Sequence, residues 1–201
     1  STKDGIALGN LVFTGGDPDP ETIRTIENLG FKNPTAVDAT VRGWHHGRYR
    51  ATRSERSRQI LTEIAPALLS SFGQAPEPDE AFKRFDRFLE ALPAGVQLFS
   101  LFQANPPLLN MLADIMGMAP SLARQLGLHP SLFEGVLTHD PSARLGDRAS
   151  LEAELERDLE QARYYEDVLA IARRWINDQR FLVAIKVMQG RLPASRAATC
   201  L

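Results

Sequence analysis

The chain has 201 residues, of which 43% are hydrophobic and 24% are charged, and its formal net charge is -2. This composition suits a soluble globular protein of one large or two small domains. With this net charge, the protein as a whole has no positive electrostatic field that would attract nucleic acid or anionic membranes. No apolar run predicts a membrane span, and the N-terminus lacks the apolar core of a signal peptide. The single cysteine, Cys200, excludes an internal disulfide and a Cys-based zinc cluster, so we expect a reducing, cytoplasmic setting.

Short helices that begin at an acidic or amide residue followed by proline are predicted along the first 130 residues. Proline is favoured at the first helical position because the N–H it lacks has no partner inside the helix. Glycine is the expected stop residue at the other end. The helices predicted in this way run from Asp19-Pro20 to Gly30, from Asn33-Pro34 to Gly47 and from Asn105-Pro106 to Gly117, with shorter versions in "APSLARQLG" and "HPSLFEGVL".

Longer helices are predicted between these short ones. "TRSERSRQILTEIAPALLSSFG" has one apolar face, and we expect Pro66 to kink or restart it. "GVQLFSLFQAN" is nearly all apolar, which predicts a buried helix. "PDEAFKRFDRFLEAL" carries an apolar stripe made of Phe82, Phe85, Phe88, Leu89 and Leu92.

The pattern changes after "THDPSARLGDRAS". From Leu151 to about Gly190 it predicts one very long helix, or two joined end to end. The expected apolar side consists of Leu151, Leu155, Leu159, Ala162 and Leu169. We therefore predict an all-α protein, a multi-helix bundle with a long C-terminal helical arm. Its compact domain would span residues 1–140 and the arm residues 141–201, with the boundary in the loop near Asp140 to Arg148.

The stretch "GWHHGRYR" concentrates histidines, arginines and aromatic residues between positions 43 and 50. His45 and His46 are neighbours, so on a helix they point about 100° apart, whereas helical metal ligands are spaced by three or four residues. His129 and His139 lie in predicted turns. The pattern favours histidines that interact with the last carbonyl groups of a helix ending at Gly47, with Trp44 anchored in the core.

A basic run follows in the same region. It contains Arg42, Arg48, Arg50, Arg53, Arg56 and Arg58, opposed only by Glu55. Such a run suits an acidic partner, a phosphate or RNA, and Trp44 and Tyr49 offer stacking surfaces. Because the chain as a whole is slightly acidic, we favour a solvated face or a protein partner over nucleic acid as the role of this run. Our candidates for contact with a partner or a neighbouring domain are Arg48, Arg50 and Arg53.

No catalytic motif is present. "TGGDPDP" matches neither phosphate-loop pattern, and the carboxyl groups of Asp17 and Asp19 are interpreted as part of a helix-capping turn rather than as a metal site. No serine has a G-x-S-x-G context, and Cys200 lies in the tail. Met111, Met116 and Met118 are expected in the core. The residues by themselves therefore indicate a helical protein with no catalytic, cofactor or metal site of its own.

An ordered set of stretches resembles the bacterial glutamine synthetase adenylyltransferase/adenylyl-removing enzymes. It begins with "LGF", Pro34, Trp44 and "GRYRATRS", and continues through "ILTEIAPALL" and the sequence from "PDEAFKRF" to "LHPSLFEGVL". These residues, from about Leu29 to Leu137, are similar to the segment between that family's two nucleotidyltransferase modules. "YYEDVLAIARRWINDQRFLVAIKVMQGRLPASRA" resembles the entry to the second module.

The resemblance implies a non-catalytic central fragment of a bifunctional enzyme that adenylylates and deadenylylates glutamine synthetase. The parent is then expected to use ATP and Mg²⁺, with glutamine synthetase, the PII signal protein and the flanking modules as partners. The fragment would connect the two modules and relay PII and glutamine control of nitrogen assimilation. Two alternatives stay open: an independent helical protein-interaction domain unrelated to adenylylation, and an RNA-binding helical domain.

Overall fold

The computed structural model describes residues 11–13, 17–129, 132 and 148–188. Every regular element in these ranges is helical, which confirms the predicted all-α class. The chain divides into two compact units, Ser1–Pro130 and Ser131–Leu201. Within the described ranges, no helix combines the length and the apolar character needed to cross a membrane.

The described part of the first unit contains seven α-helices and one short 3-10 helix. They are α1 (Pro20–Asn28), α2 (Pro34–His45), the 3-10 helix (Arg50–Thr52), α3 (Glu55–Gly73), α4 (Pro78–Ala91), α5 (Val96–Ala104), α6 (Pro106–Met118) and α7 (Pro120–Leu128). Of these, α4 packs against α2, α3, α6 and α7, and α3 packs against α5 and α6. The bundle is therefore organised around α3 and α4.

The first two helices begin as their sequences predict. Asp19 Oδ2 accepts the N–H of Thr22 over 2.8 Å, and Asn33 Oδ1 accepts the N–H of Ala36 over 3.3 Å. Each cap satisfies one of the N–H groups that the first turn of a helix leaves without an internal partner. Asn105 does not cap α6 in this way, because its side-chain amide turns back toward the carbonyl oxygen of Leu101 over 3.4 Å.

The predicted end of α6 is wrong, and the predicted restart of α3 at a proline does not occur. Helix α6 does not stop at Gly117 but continues to Met118, and a Cβ atom at Gly117 would lie only 3.0 Å from the Cβ of Ala75. Glycine at this position therefore allows close packing. Helix α3 runs unbroken from Glu55 to Gly73, so it does not restart at Pro66, and the kink expected there as the alternative stays a prediction.

The core is built on the aromatic stripe of α4, as predicted. Phe82, Phe85 and Phe88 are at most 3% exposed. The Trp44 ring of α2 lies 5.2 Å from the Phe82 ring, and the Phe72 ring of α3 lies 5.1 Å from the Phe85 ring, between ring centroids. Buried aromatic side chains of this size each contribute several kcal/mol, about 3–5 kcal/mol when truncated to alanine.

Helix α5 is less buried than its composition predicts. Only Phe99 and Phe102 are fully buried among its side chains, while Leu98 and Leu101 are half-buried and Gln97 is exposed. The helix packs one face on α3, and apolar composition alone did not reveal that its opposite side faces outward.

Two long-range contacts fix the connection between α1 and α2. Both Asp79 carboxylate oxygens accept backbone N–H groups of this connection, from Lys32 and Asn33, each over 2.9 Å. A Cβ atom at Gly73 would collide with the carbonyl oxygen of Leu29. The end of α3 therefore needs glycine so that the end of α1 can approach it.

The described part of the second unit consists of α8 (Arg148–Leu159) and α9 (Tyr165–Met188), so the chain forms two helices here. Asp167 Oδ2 accepts the N–H groups of Arg163 and Tyr164, each over 3.0 Å, which fixes the start of α9. Leu169, predicted on the apolar side, is 38% exposed, whereas the other four members of that set are half-buried. Of the predicted boundary loop near Asp140 to Arg148, residues 140–147 lie outside the described residues, as does the tail beyond 188, and Arg148 begins α8.

Candidate functional site

The segment that carries the candidate arginines begins at the end of α2. The N–H of Gly47 donates to the carbonyl oxygen of Trp44 over 3.0 Å, and the N–H of Arg48 donates to that of Gly43 over 3.1 Å. Gly47 has a φ of 74°. This is a Schellman ending, in which glycine takes the left-handed conformation and the following amide closes the last turn. The predicted stop at Gly47 is confirmed.

The two histidines diverge, as their spacing predicts. His45 Nδ1 lies 2.9 Å from the carbonyl oxygen of Val41, and Nε2 lies 2.9 Å from the hydroxyl of Thr62. The ring also stacks on Phe13, with 5.8 Å between ring centroids. Burial lowers the pKa of His45, so its neutral form is favoured. His46 is exposed. His45 thus contacts a carbonyl oxygen one turn before the helix end, whereas the carbonyl oxygens of Arg42, Gly43 and Trp44 accept backbone N–H groups.

A shared carboxylate holds the aromatic residues of this segment. Asp86 of α4 accepts the indole N–H of Trp44 at Oδ1 over 2.7 Å and the hydroxyl of Tyr49 at Oδ2 over 3.1 Å. Trp44 is 1% exposed, which confirms it as a core anchor. Burial, with the Asp86 charge adding to it, raises the pKa of Tyr49 to about 12. The tyrosine is therefore a neutral hydrogen-bond donor at physiological pH.

The structure divides the arginine run into supporting and exposed members. Arg42 is buried and forms an ion pair with Asp38, with Nε 2.8 Å from Oδ2. Arg58 donates to the carbonyl oxygens of Thr52 and Arg53, which braces the 3-10 helix against the first turns of α3. Arg42 is therefore engaged by a carboxylate of its own helix, whereas Arg58 holds the backbone at the end of the 3-10 helix.

The three candidates, Arg48, Arg50 and Arg53, are all exposed and lie on the turn between α2 and α3. The Arg48 guanidinium lies 5.3 Å from the centroid of the Tyr49 ring, a cation–π distance. In the part of the chain that the structure describes, none of the three forms an ion pair within 4.0 Å. We call this turn, residues 47–53, the basic turn.

Asp19, which lies in a sequence candidate for metal or phosphate chemistry, caps a helix. Both the backbone N–H and the side-chain hydroxyl of Thr22 donate to Asp19 Oδ2, each over 2.8 Å, and the hydroxyl bond is the main cause of the lowered pKa of Asp19. Over residues 11–13, 17–129, 132 and 148–188, no group of three His, Cys, Asp or Glu side chains is placed to hold a metal ion. His139 and Cys200 fall outside these ranges.

A second surface feature was missed by the sequence reasoning. A groove of about 640 Å³ lies between α4 and α7, and its lining includes Arg84, Arg87 and Arg124 with Glu90. The spacing of Arg84 and Arg87 by three residues on the polar face of α4 was the available signal. Arg124 joins them only through the packing of α7.

The chain is similar to curated bacterial proteins over nearly its whole length. It is 47% identical over 190 residues to a protein of Mesorhizobium japonicum, covering 94% of this chain and 19% of that protein. It is 44% identical over 197 residues to one of Agrobacterium fabrum and 44% over 193 residues to one of Rhizobium meliloti, covering 98% and 96% of this chain and 20% of each protein.

All three relatives bear the name bifunctional glutamine synthetase adenylyltransferase/adenylyl-removing enzyme. The chain spans about a fifth of their length. No family model matches the chain, and no solved structure matches it. The similarity confirms the resemblance seen in the sequence: this chain corresponds to a segment of the bacterial bifunctional glutamine synthetase adenylyltransferase/adenylyl-removing enzymes.

Proposed function

We propose that this chain is a non-catalytic segment of that bifunctional enzyme, that it connects the two nucleotidyltransferase modules, and that it relays PII and glutamine control between them. The observation that carries the proposal is the 44–47% identity with enzymes of this name across 94–98% of the chain. The modification of glutamine synthetase, with its ATP and Mg²⁺, is assigned to the modules outside this segment. An unrelated helical interaction domain is disfavoured by the same identity.

The basic turn is the proposed contact of this segment with a neighbouring module or a protein partner. Its base is held by tertiary hydrogen bonds, from Tyr49 to Asp86 and from Arg58 to the 3-10 helix. Three exposed cations on a fixed turn lose less conformational freedom on binding than they would on a free loop. Such a surface suits an acidic partner, for which charge complementarity sets both specificity and association rate.

The test uses the full-length parent enzyme with Arg48, Arg50 and Arg53 all changed to Ala. Adenylylation and deadenylylation of glutamine synthetase are measured with and without glutamine, and with unmodified or uridylylated PII. We expect both basal reactions to persist while the response to PII is reduced. The control changes two exposed arginines outside the basic turn, Arg24 and Arg56, to Ala.

Two outcomes would contradict the proposal. An unchanged response to PII and glutamine would remove the basic turn from the relay. Loss of both basal reactions in the triple variant, with the control variant unaffected, would give the segment a direct part in the chemistry and would contradict its non-catalytic role.

A further inference from the structure

The groove between α4 and α7 is a concave surface that the proposed function does not use. Its volume of about 640 Å³ lies in the range of small-molecule sites, about 300–1,000 Å³. Both of its walls belong to the first unit, since α4 and α7 pack directly against each other. The groove is therefore a property of this one unit and needs no neighbouring domain to form.

The charge of the groove is strongly one-sided. Three arginines line it, Arg84 and Arg87 on α4 and Arg124 on α7, together with one acidic residue, Glu90. Among the described residues, none of these four side chains forms an ion pair within 4.0 Å. An anion entering the groove would therefore not have to displace an existing ion-pair partner from among these residues.

One of the three arginines is held in place. Arg84 Nη1 donates to the carbonyl oxygen of Met116 over 2.6 Å, which ties α4 to the last turn of α6. A guanidinium group has five N–H donors in a planar fork, so one bond to a carbonyl leaves several for a ligand. A preorganised guanidinium also loses less conformational entropy when it binds a ligand.

The first turn of α7 borders the groove. Helix α7 begins at Pro120, and its N-cap residue, Ala119, has no side chain that could accept a hydrogen bond from the first turn. Ser121, in that first turn, lines the groove. First-turn N–H groups have no acceptors within their own helix, and together with the helix dipole they favour an anion.

The remaining lining is apolar, from Ala91, Pro120, Ala123 and Leu128. Leu128 is 69% exposed, so a ligand in the groove would also cover apolar surface. A doubly charged oxyanion makes fuller use of several guanidinium groups than a single carboxylate does, since arginine binds phosphate through paired hydrogen bonds. We propose that this groove binds a small molecule in which a phosphate group is joined to an apolar or aromatic body.

The experiment titrates the 201-residue chain by calorimetry with phenyl phosphate, inorganic phosphate and benzoate. Phenyl phosphate should bind more tightly than inorganic phosphate, which lacks the apolar body, and more tightly than benzoate, which lacks the second charge. The groove variant carries Arg87→Gln and Arg124→Gln, both at exposed positions, while Arg84 is kept because of its bond to Met116. We expect this variant to bind phenyl phosphate about tenfold more weakly or worse.

The matched control carries Arg24→Gln and Arg56→Gln, which remove the same charge from other exposed sites. Amide chemical shifts of Ser121 and Leu122 provide a second measurement that reports on the groove itself. The proposal is overturned if phenyl phosphate does not bind at millimolar concentration, or if both variants weaken binding equally. It is also overturned if a hexaglutamate peptide binds the groove while phenyl phosphate does not, because the site would then serve an acidic protein.

Discussion

Trp44 and Asp86 are joined by a hydrogen bond of 2.7 Å between the indole nitrogen and Oδ1, across the interface of α2 and α4. Because Tyr49 donates to the other oxygen of the same carboxylate, one side chain of α4 fixes both the end of α2 and the start of the basic turn. The rigidity of the basic turn therefore depends on a residue about forty positions away in sequence.

The change Asp86→Ala is expected to destabilise the protein by about 1–3 kcal/mol, because it leaves a buried indole N–H and a tyrosine hydroxyl without their acceptor. Urea unfolding followed by tryptophan fluorescence measures this loss. The exposed Asp17→Ala serves as the control and should leave the midpoint almost unchanged. Equal midpoints for the two variants would mean that water replaces the carboxylate at no cost.

The change Gly47→Val is expected to lower the melting temperature. A non-glycine residue in the left-handed region costs about 1–2 kcal/mol, and a β-branched side chain costs more. The control is Gly127→Ala in α7, where φ is not positive and an added Cβ atom meets nothing within 4 Å. That change should raise stability by about 0.5–1 kcal/mol. A melting temperature unchanged by valine would show that Gly47 does not need its φ of 74° in solution.

The change Asp38→Ala is expected to destabilise the protein by about 1.5–3 kcal/mol, because it removes the carboxylate that lies 2.8 Å from the buried Arg42 guanidinium. The exposed pair of Lys83 and Glu80, 2.7 Å apart, provides the comparison. Glu80→Ala should have little effect, because solvent screens both charges. Denaturant unfolding compares the stability of the two variants. Similar midpoints would show that the buried ion pair contributes no more stability than the exposed one.

Stability is expected to decrease as the pH is lowered below about 6.5, the ordinary pKa of histidine. Burial lowers the pKa of His45 in the folded state, so below that pH the unfolded chain binds more protons and the folded state loses relative stability. The loss continues until the pH reaches the lowered folded-state pKa. His45→Gln should flatten the dependence of stability on pH in this window, whereas His46→Gln, at the exposed neighbour, should not.

Denaturation curves at closely spaced pH values check this prediction. If the dependence of stability on pH persisted in His45→Gln and disappeared in His46→Gln, His45 would not be its cause. The carboxyl of Asp19, whose pKa is also lowered, acts in a separate window. Its contribution is present above the ordinary value of 3.8 and is lost as the pH falls through its lower folded-state value.

Local patterns were sufficient to predict most of the helices. Asp19 and Asn33 cap helices, and Gly47 ends one, because each of these roles is decided by bonds within three to five residues of the chain. The stripe on α4 was predictable for the same reason, since the helical repeat alone places Phe82, Phe85 and Phe88 on one face.

Packing decided what local patterns could not. Nothing in the sequence shows that Arg42 is buried while Arg50 is exposed, because burial depends on which helices meet. Tertiary packing also decides that Gly117 lies inside α6 and that α5 is only half-buried.

By itself, the sequence determined the helical class, the helix ends governed by capping and the resemblance to a segment of the adenylyltransferase/adenylyl-removing enzymes. Only the tertiary structure decided which arginines are exposed on the basic turn, that Asp86 supports this turn, and that Arg84, Arg87 and Arg124 share a groove. The physical reason is range: caps and periodicity act over a few residues, whereas these contacts join helices that are dozens of residues apart and form only when the bundle packs.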